Sequence, residues 1–216
     1  MRDTPFLVGL GGTLRAQSSS ESALRIVLEH AQSLGATARQ FSGEDLASLP
    51  PYAPERPDRT VLATELVAAL RLADGVVIAS PGYHGSVSGL LKNTLDYIED
   101  MRTDARPYLS GRAVGMVSTA YGWQAAVTTL TSMRAIVHAL RAWPTPFGAA
   151  INSAQVRIGP DGCSDDDVTS RLRTVAEEVV TFAVRQRAWA NGTAHDGPAV
   201  REDPQPSGSR SDQGAV

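Results

Sequence analysis

Two stretches of this chain combine residue types suited to holding a small ligand. Residues 80–96 run Ser80-Pro81-Gly82-Tyr83-His84-Gly85-Ser86-Val87-Ser88-Gly89-Leu90-Leu91-Lys92-Asn93-Thr94-Leu95-Asp96. Glycines at 82, 85 and 89 let backbone approach a planar ligand, and Tyr83 offers that ligand an edge or a face. Earlier, the segment from Gly9 to Ser22 carries Thr13, Ser18, Ser19 and Ser20 around one guanidinium, Arg15. That chemistry suits a terminal phosphate monoester, because backbone N–H groups at a helix start favour an anion and arginine pairs with it in a fork. A helix end supplies only about half a positive charge, so Arg15 is needed against a near-dianionic group. The same serines suit helix capping; both readings stay open and can coexist. A third segment, Ser118-Thr119-Ala120-Tyr121-Gly122-Trp123-Gln124, is again small, polar and aromatic, although Trp123 also fits the start of a core-facing helix.

Two familiar nucleotide motifs fail on the first segment. A P-loop ends in Gly-Lys-Ser/Thr, and no lysine stands here. The dinucleotide fingerprint requires a third glycine where Leu14 stands.

The elements that position these segments are legible from periodicity. Strand-like runs at Phe6 to Leu10, Thr37 to Phe41, Gly75 to Ala79, Arg112 to Ser118 and Pro146 to Asn152 alternate with helical stripes. One stripe carries Leu24, Val27, Leu28, Ala31 and Leu34 with Gly35 as its stop; another carries Leu62, Leu66, Ala69, Leu70 and Ala73. A third carries Leu91, Leu95, Ile98 and Met101, and a fourth Trp123, Val127, Leu130, Met133, Ile136, Val137 and Leu140. Ser164 is expected to cap the last helix, with Asp165, Asp166 and Asp167 in its first turn and Val168, Leu172, Val175, Val179 and Phe182 on one face. Between Ser48 and Arg59 four prolines (50, 51, 54 and 57) prevent regular pairing, so a loop is expected.

The alternation predicts an α/β fold: a flavodoxin-like, doubly wound, five-stranded parallel sheet of order 2-1-3-4-5 with helices on both faces. The three segments then share the carboxyl ends of neighbouring strands, where open sheets of this class keep their ligands. Residues 1–190 are expected to form the domain. Residues 191–216 are rich in Gly, Pro, Ser, Asp and Arg, and are expected to be a disordered tail.

Composition narrows the function. The 216 residues carry a net charge of −3, which gives a nucleic-acid partner no electrostatic support. No apolar run approaches the roughly 20 residues that span a bilayer, and no signal peptide is read at the start. The single cysteine, Cys163, excludes an internal disulfide and fits a cytoplasmic setting. His30, His84, His138 and His195 are scattered without metal-ligand spacing, and only His84 lies in a candidate site. No Gly-x-Ser-x-Gly elbow is present, so an α/β-hydrolase lacks its nucleophile.

Thr13-Leu14-Arg15-x-x-Ser18-x-Ser20 resembles the phosphate loop of the NADPH-dependent FMN reductase family, and Pro81-x-Tyr83-His84-Gly85-Ser86-x-x-Gly89-x-Leu91-Lys92-Asn93-x-x-Asp96 resembles that family's signature. The resemblance covers roughly Phe6 to Val184. It implies FMN as cofactor, NADPH or NADH as co-substrate, and a homodimer or homotetramer. By position, it assigns Thr13, Arg15, Ser18 and Ser20 to the FMN phosphate. Pro81, Gly82, Tyr83, His84, Gly85 and Ser86 would line the ribityl chain and ring, with Thr119, Ala120, Tyr121 and Gly122 flanking the ring. No protein side chain is assigned a catalytic role. Thr13 replaces the family's usual serine and keeps the hydroxyl. Ser88 stands where many members have proline, which implies a less rigid turn. Tyr121 occupies a position often held by a small residue.

The implied reaction is hydride transfer from a nicotinamide to FMN, with reduced FMN passing electrons to a small-molecule acceptor or to a flavin-dependent monooxygenase. Two alternatives remain: an FMN-containing reductase of quinones or azo compounds, and a flavodoxin-like electron carrier without a nicotinamide site. The mild charge argues against the carrier.

Overall fold

A computed structural model describes residues 4–15, 17–190 and 192. The expected tail lies outside these residues apart from 192. Parallel strands β1 (Phe6–Gly11), β2 (Thr37–Phe41), β3 (Gly75–Pro81) and β4 (Ala113–Ala120) stand in the order β2-β1-β3-β4. Beyond β4 the edge is filled twice, by β5 (Trp143–Pro144) against its start and β6 (Ala149–Asn152) against its end. The expected order 2-1-3-4-5 therefore holds, but the fifth position is broken. Pro146 has no N–H to give a ladder, and Thr145 turns its hydroxyl back to the Phe147 carbonyl, 2.8 Å away. A short hairpin, β7 (Ile158–Gly159) and β8 (Gly162–Cys163), precedes the last helix.

Alternation along each strand divides the core between the two faces of the sheet. Val8, Leu10, Val76, Ile78, Val114 and Met116 point to one face, while Leu7, Val77, Ala79 and Val117 point to the other. The first face is covered by α2 (Gly43–Ala47), α3 (Val61–Leu72), α4 (Gly89–Asp96) and α5 (Trp123–Ala139). The second is covered by α1 (Ser19–Ser33) and α6 (Asp166–Ala190). Gly35 ends α1 at φ +90° as expected. The cap of α6 is Asp165, whose carboxylate accepts the Val168 N–H at 3.0 Å; Ser164 instead accepts the Arg157 N–H. An aspartate at that position outcompetes the neighbouring serine because it also favours the helix dipole.

The α5 stripe also needs correction. Its buried positions are Ala126, Thr129, Met133 and Val137, while Trp123 and Val127 are 48% and 51% exposed. Among the described residues no helix is long and apolar enough to cross a membrane.

The proline-rich segment after α2 is a loop, and it is tightly held. Arg59 donates to both oxygens of Asp100 at 2.7 Å and to the Ala53 carbonyl, and its guanidinium lies over the Tyr52 and Tyr97 rings. That pairing holds the Asp100 carboxyl below the usual carboxylate range. Asn93 of α4 accepts the Tyr52 N–H and donates to the Pro50 carbonyl, which also accepts from the Tyr97 hydroxyl. The segment thereby straps α4 to the turn that follows it.

Candidate functional site

The carboxyl ends of β1, β3 and β4 meet at one edge of the sheet. After β1 the chain turns through Gly12 against the next strand: a Cβ there would stand 2.8 Å from the Ala79 carbonyl oxygen and 3.1 Å from Ser88 Oγ. Thr13 is buried and accepts the Arg15 N–H at 3.1 Å. Ser18 caps α1 by accepting the Glu21 N–H at 3.2 Å, and its hydroxyl lies 3.2 Å from that of Ser20. Capping thus takes the Ser18 side chain. The Ser20 side chain is only 1% exposed. The N–H groups of Ser19 and Ser20 at the start of α1 have no partner among the described residues. Arg15 is exposed and makes no ion pair among them. The loop therefore offers backbone donors and one uncommitted guanidinium to an anion.

The β3–α4 connection is a small hairpin closed by two hydrogen bonds of 3.0 Å between Tyr83 and Ser86. Its tip has His84 at φ +50° and Gly85 at φ +82°, the pairing of a type I′ turn. Helix α5 fixes its outer side: Thr129 donates to the Ser86 carbonyl and Ser132 to that of Gly85. The His84 and Gly85 N–H groups have no partner among the described residues.

Ser88 does not loosen the turn, as the departure from proline had implied. Its N–H donates to Ser80 Oγ at 2.9 Å and its hydroxyl caps α4 by accepting the Leu91 N–H at 3.1 Å. A proline would forfeit both. Lys92 and Asp96 form the exposed pair expected of a helix surface.

Thr119 and Ala120 belong to β4 rather than to the loop, and both are buried. The strand runs on because Thr119 accepts the Gly82 N–H at 2.8 Å, joining the β4 end to the hairpin. Gly82 is pressed there, since a Cβ would lie 2.5 Å from Thr129 Oγ1. Tyr121 stands 87% exposed beyond Ala120, and Gly122 opens α5. Asn152, at the end of β6, pairs in register with Ala120 and is buried at the same edge.

Thr13, Arg15 and Ser18 lie on the loop after β1 and Ser20 in the first turn of α1; that loop meets the end of β3 and Ser88 through Gly12, and residues 119–122 join the hairpin through the Gly82–Thr119 hydrogen bond. His30 and His138 lie elsewhere, His195 lies outside the described residues, and no cluster able to hold a metal occurs among the described residues. Several contributors were missed. Gly43 at the start of α2 touches the first loop so closely that a Cβ would fall 1.5 Å from the Thr13 carbonyl oxygen. The signal was present as Ser42-x-x-Asp45, a capping box that forms in full. Thr129, Ser132 and Asn152 carry no local signal, because their partners lie far away in sequence.

Between the first loop and α2 lies a cavity of about 430 Å3, lined by Thr13, Arg15, Glu21, Gly43 and Glu44 among others. Glu21 is half buried there, and burial pushes its carboxyl up from the ordinary value. Unspent donors at the start of α1 and at the hairpin tip, on the loops that follow the neighbouring strands β1 and β3, with Tyr83 and Tyr121 exposed, fit a ligand with an anionic end and a flat end.

Comparison with known proteins agrees. The model of a family described as NADPH-dependent FMN reductase matches residues 6–155. An NADPH azoreductase of Bacillus sp. (strain OY1-2) is 31% identical over 150 residues, covering 67% of this chain and 79% of that protein. An FMN-dependent NADPH-azoreductase of Staphylococcus haemolyticus (strain JCSC1435) is 32% identical over 114 residues, covering 51% of this chain and 56% of that protein. The chain thus spans little more than half the length of the staphylococcal relative. Among solved structures, the flavoenzyme NAD(P)H:(acceptor) oxidoreductase FerB from Paracoccus denitrificans superposes with a TM-score of 0.70 at 16% identity, over 85% of this chain and 99% of that one. An oxidoreductase from Corynebacterium diphtheriae gives 0.66 at 21% identity, over 85% and 99%. At these identities the likeness shows the fold alone.

Proposed function

The chain belongs to the NADPH-dependent FMN reductase family and is an NAD(P)H-dependent FMN oxidoreductase, and from that premise we propose that its three adjoining strand-end loops hold the flavin. The observation that carries this placement is the set of unspent N–H donors at Ser19, Ser20, His84 and Gly85 along one edge of the sheet. Arg15 and the start of α1 would hold the phosphate, with Thr13, Ser18 and Ser20 keeping the loop in shape. The hairpin 82–86, following Pro81, and the 119–122 segment would border the ring. When bound, FMN supplies hydride acceptance from the nicotinamide and onward reduction of an acceptor. The protein groups bind and orient; none of them is placed to serve as a strong base, and hydride transfer demands none.

Replacing Arg15 by Ala is expected to weaken FMN binding about 10- to 100-fold, the worth of roughly 1.5–3 kcal/mol for a charge-assisted hydrogen bond. Riboflavin, which lacks the phosphate, should bind Arg15→Ala and the parent protein equally. Fluorescence titration with both flavins measures this. Equal affinity for FMN in the two proteins would remove the phosphate from this loop.

A reductase of azo compounds or quinones that retains its FMN is favoured by the open, aromatic face beside the hairpin, where Tyr83 and Tyr121 are exposed. FMN that stays bound through gel filtration supports this form. Flavin lost on the column supports a reductase that passes free reduced FMN to a monooxygenase.

The exposed Tyr121, Trp123 and Val127 beside the same face suit coverage by a second copy in a homodimer or homotetramer. A monomer in sedimentation velocity at micromolar concentration would exclude that assembly. Residues 1–190 are assigned as the flavin-binding domain, and the single cysteine suits a cytoplasmic setting.

A further inference from the structure

Ser18-x-x-Glu21 reads as a capping box, in which the glutamate would reach back to the Ser18 N–H. Only half of the box forms. Ser18 accepts the Glu21 N–H, but its own N–H donates to the Arg15 carbonyl at 3.2 Å. The Glu21 carboxyl turns inward instead. Oε1 accepts from the Gln40 side chain of β2, and the carboxyl shares its cavity with Gly43 of α2, whose backbone favours the ionised form. Oε2 is buried without a partner among the described residues. It fills the space beside Gly11, where a Cβ would stand 2.2 Å from it. A carboxyl thus lies directly behind the loop that carries Thr13 and Arg15, with one oxygen unsatisfied.

The charges around it are of both signs. Glu44 and Asp45 stand on α2, and Arg15 is the cation lining the same cavity. Arg25, one turn along α1, donates to the Gly159 and Pro160 carbonyls, and Arg39 of β2 is paired with Glu65. Neither arginine makes an ion pair with Glu21.

We propose that Glu21 is a positioning residue whose carboxyl ties the phosphate loop to β2 and α2 and opposes the FMN phosphate, so that FMN binding is accompanied by proton uptake at Glu21. This rests on the phosphate placement given above. The burial that raises its pKa acts in the same direction as the incoming dianion. The sign follows from linkage. A group that binds a proton more tightly in the complex makes affinity higher below its pKa and lower above it. Glu21 thereby shortens FMN residence as pH rises, without touching the nicotinamide or the acceptor.

The test is FMN and riboflavin titration of the full chain from pH 5 to 9, with Glu21→Gln and Arg15→Ala alongside, and thermal melts to confirm folding. Glu21→Gln keeps the shape and one acceptor but removes the charge. It is expected to bind FMN about tenfold more tightly than the parent at pH 8, the difference closing as pH falls through the raised pKa of Glu21, with riboflavin affinity unchanged. Should Glu21→Gln fail to fold, Gln40→Met removes the donor that supports the ionised carboxyl. It must then shift the pH break upward and tighten FMN binding at neutral pH. An unchanged pH profile in whichever variant folds overturns the proposal while Arg15→Ala still weakens FMN. If Arg15→Ala binds FMN normally, the phosphate placement itself fails and Glu21 falls with it.

Discussion

Replacing Gly43 by Ala is expected to weaken FMN binding by about 100-fold and to lower the melting temperature. The new Cβ would lie 1.5 Å from the Thr13 carbonyl oxygen and 2.4 Å from its carbonyl carbon, both backbone atoms with no rotamer to escape into. Either α2 moves outward or the phosphate loop moves inward. In both cases the Glu21–Gly43 contact is strained and the Thr13–Arg15 turn leaves its geometry. Losing two charge-assisted contacts to the phosphate, at roughly 1.5 kcal/mol each, gives the expected factor. Titration with FMN and a thermal melt measure both effects. If Gly43→Ala binds FMN like the parent and melts within a degree of it, α2 does not press on the loop.

The second large effect is expected at the opposite end of the sheet. Arg112 is 1% exposed, and its guanidinium donates to the carbonyls of Ala73, Tyr108, Ser110 and Arg71. Among the described residues no carboxylate pairs with it directly; burial pushes its pKa down to about 10. Arg112→Met keeps much of the volume but strands the Arg71, Ala73 and Tyr108 carbonyls; that of Ser110 keeps Arg106 as a donor. At about 1–2 kcal/mol for each buried carbonyl left without a donor, the loss is about 3–5 kcal/mol, or roughly 10 °C in melting temperature for a chain of this size. FMN affinity measured well below the melt should hardly change, since the loops proposed to hold the flavin lie at the other end of the strands. Equal loss of affinity and stability would show that the two ends of β4 are coupled.

The sheet order was legible because its strands announce themselves. Gly75 to Ala79 is an unbroken apolar run, and α1 and α3 carry regular stripes. The loops of the site were legible for a related reason, since glycine, hydroxyl and arginine clusters stand out against apolar flanks. What escaped was decided across the sheet. Gly43 meets Thr13, Thr129 meets Ser86, and Asn152 sits beside Ala120, contacts with no periodic trace in sequence. Local pattern is also not decisive. Ser18 caps α1 as its type allows, yet Glu21, at the spacing that would close a capping box, is held by a tertiary partner instead. Trp123 and Val127 fit the helical stripe, yet they face outward because Ala126 and Thr129 supply the close approach to β4 and the hairpin.

The strap of residues 50–59 bears on how this chain tolerates alteration. Exposed, proline-rich connections between helices are ordinarily where a tag, a label or a whole domain is spliced in, and where proteases cut first. Here the connection is bolted at Pro50 and Tyr52 to α4, the helix that follows the hairpin of residues 83–86, and at Arg59 to the turn after that helix. An insertion would be transmitted to the hairpin as a pull on Asn93. For anyone grafting a reporter or a tether onto this reductase, the stretch that looks most permissive is the one to leave alone.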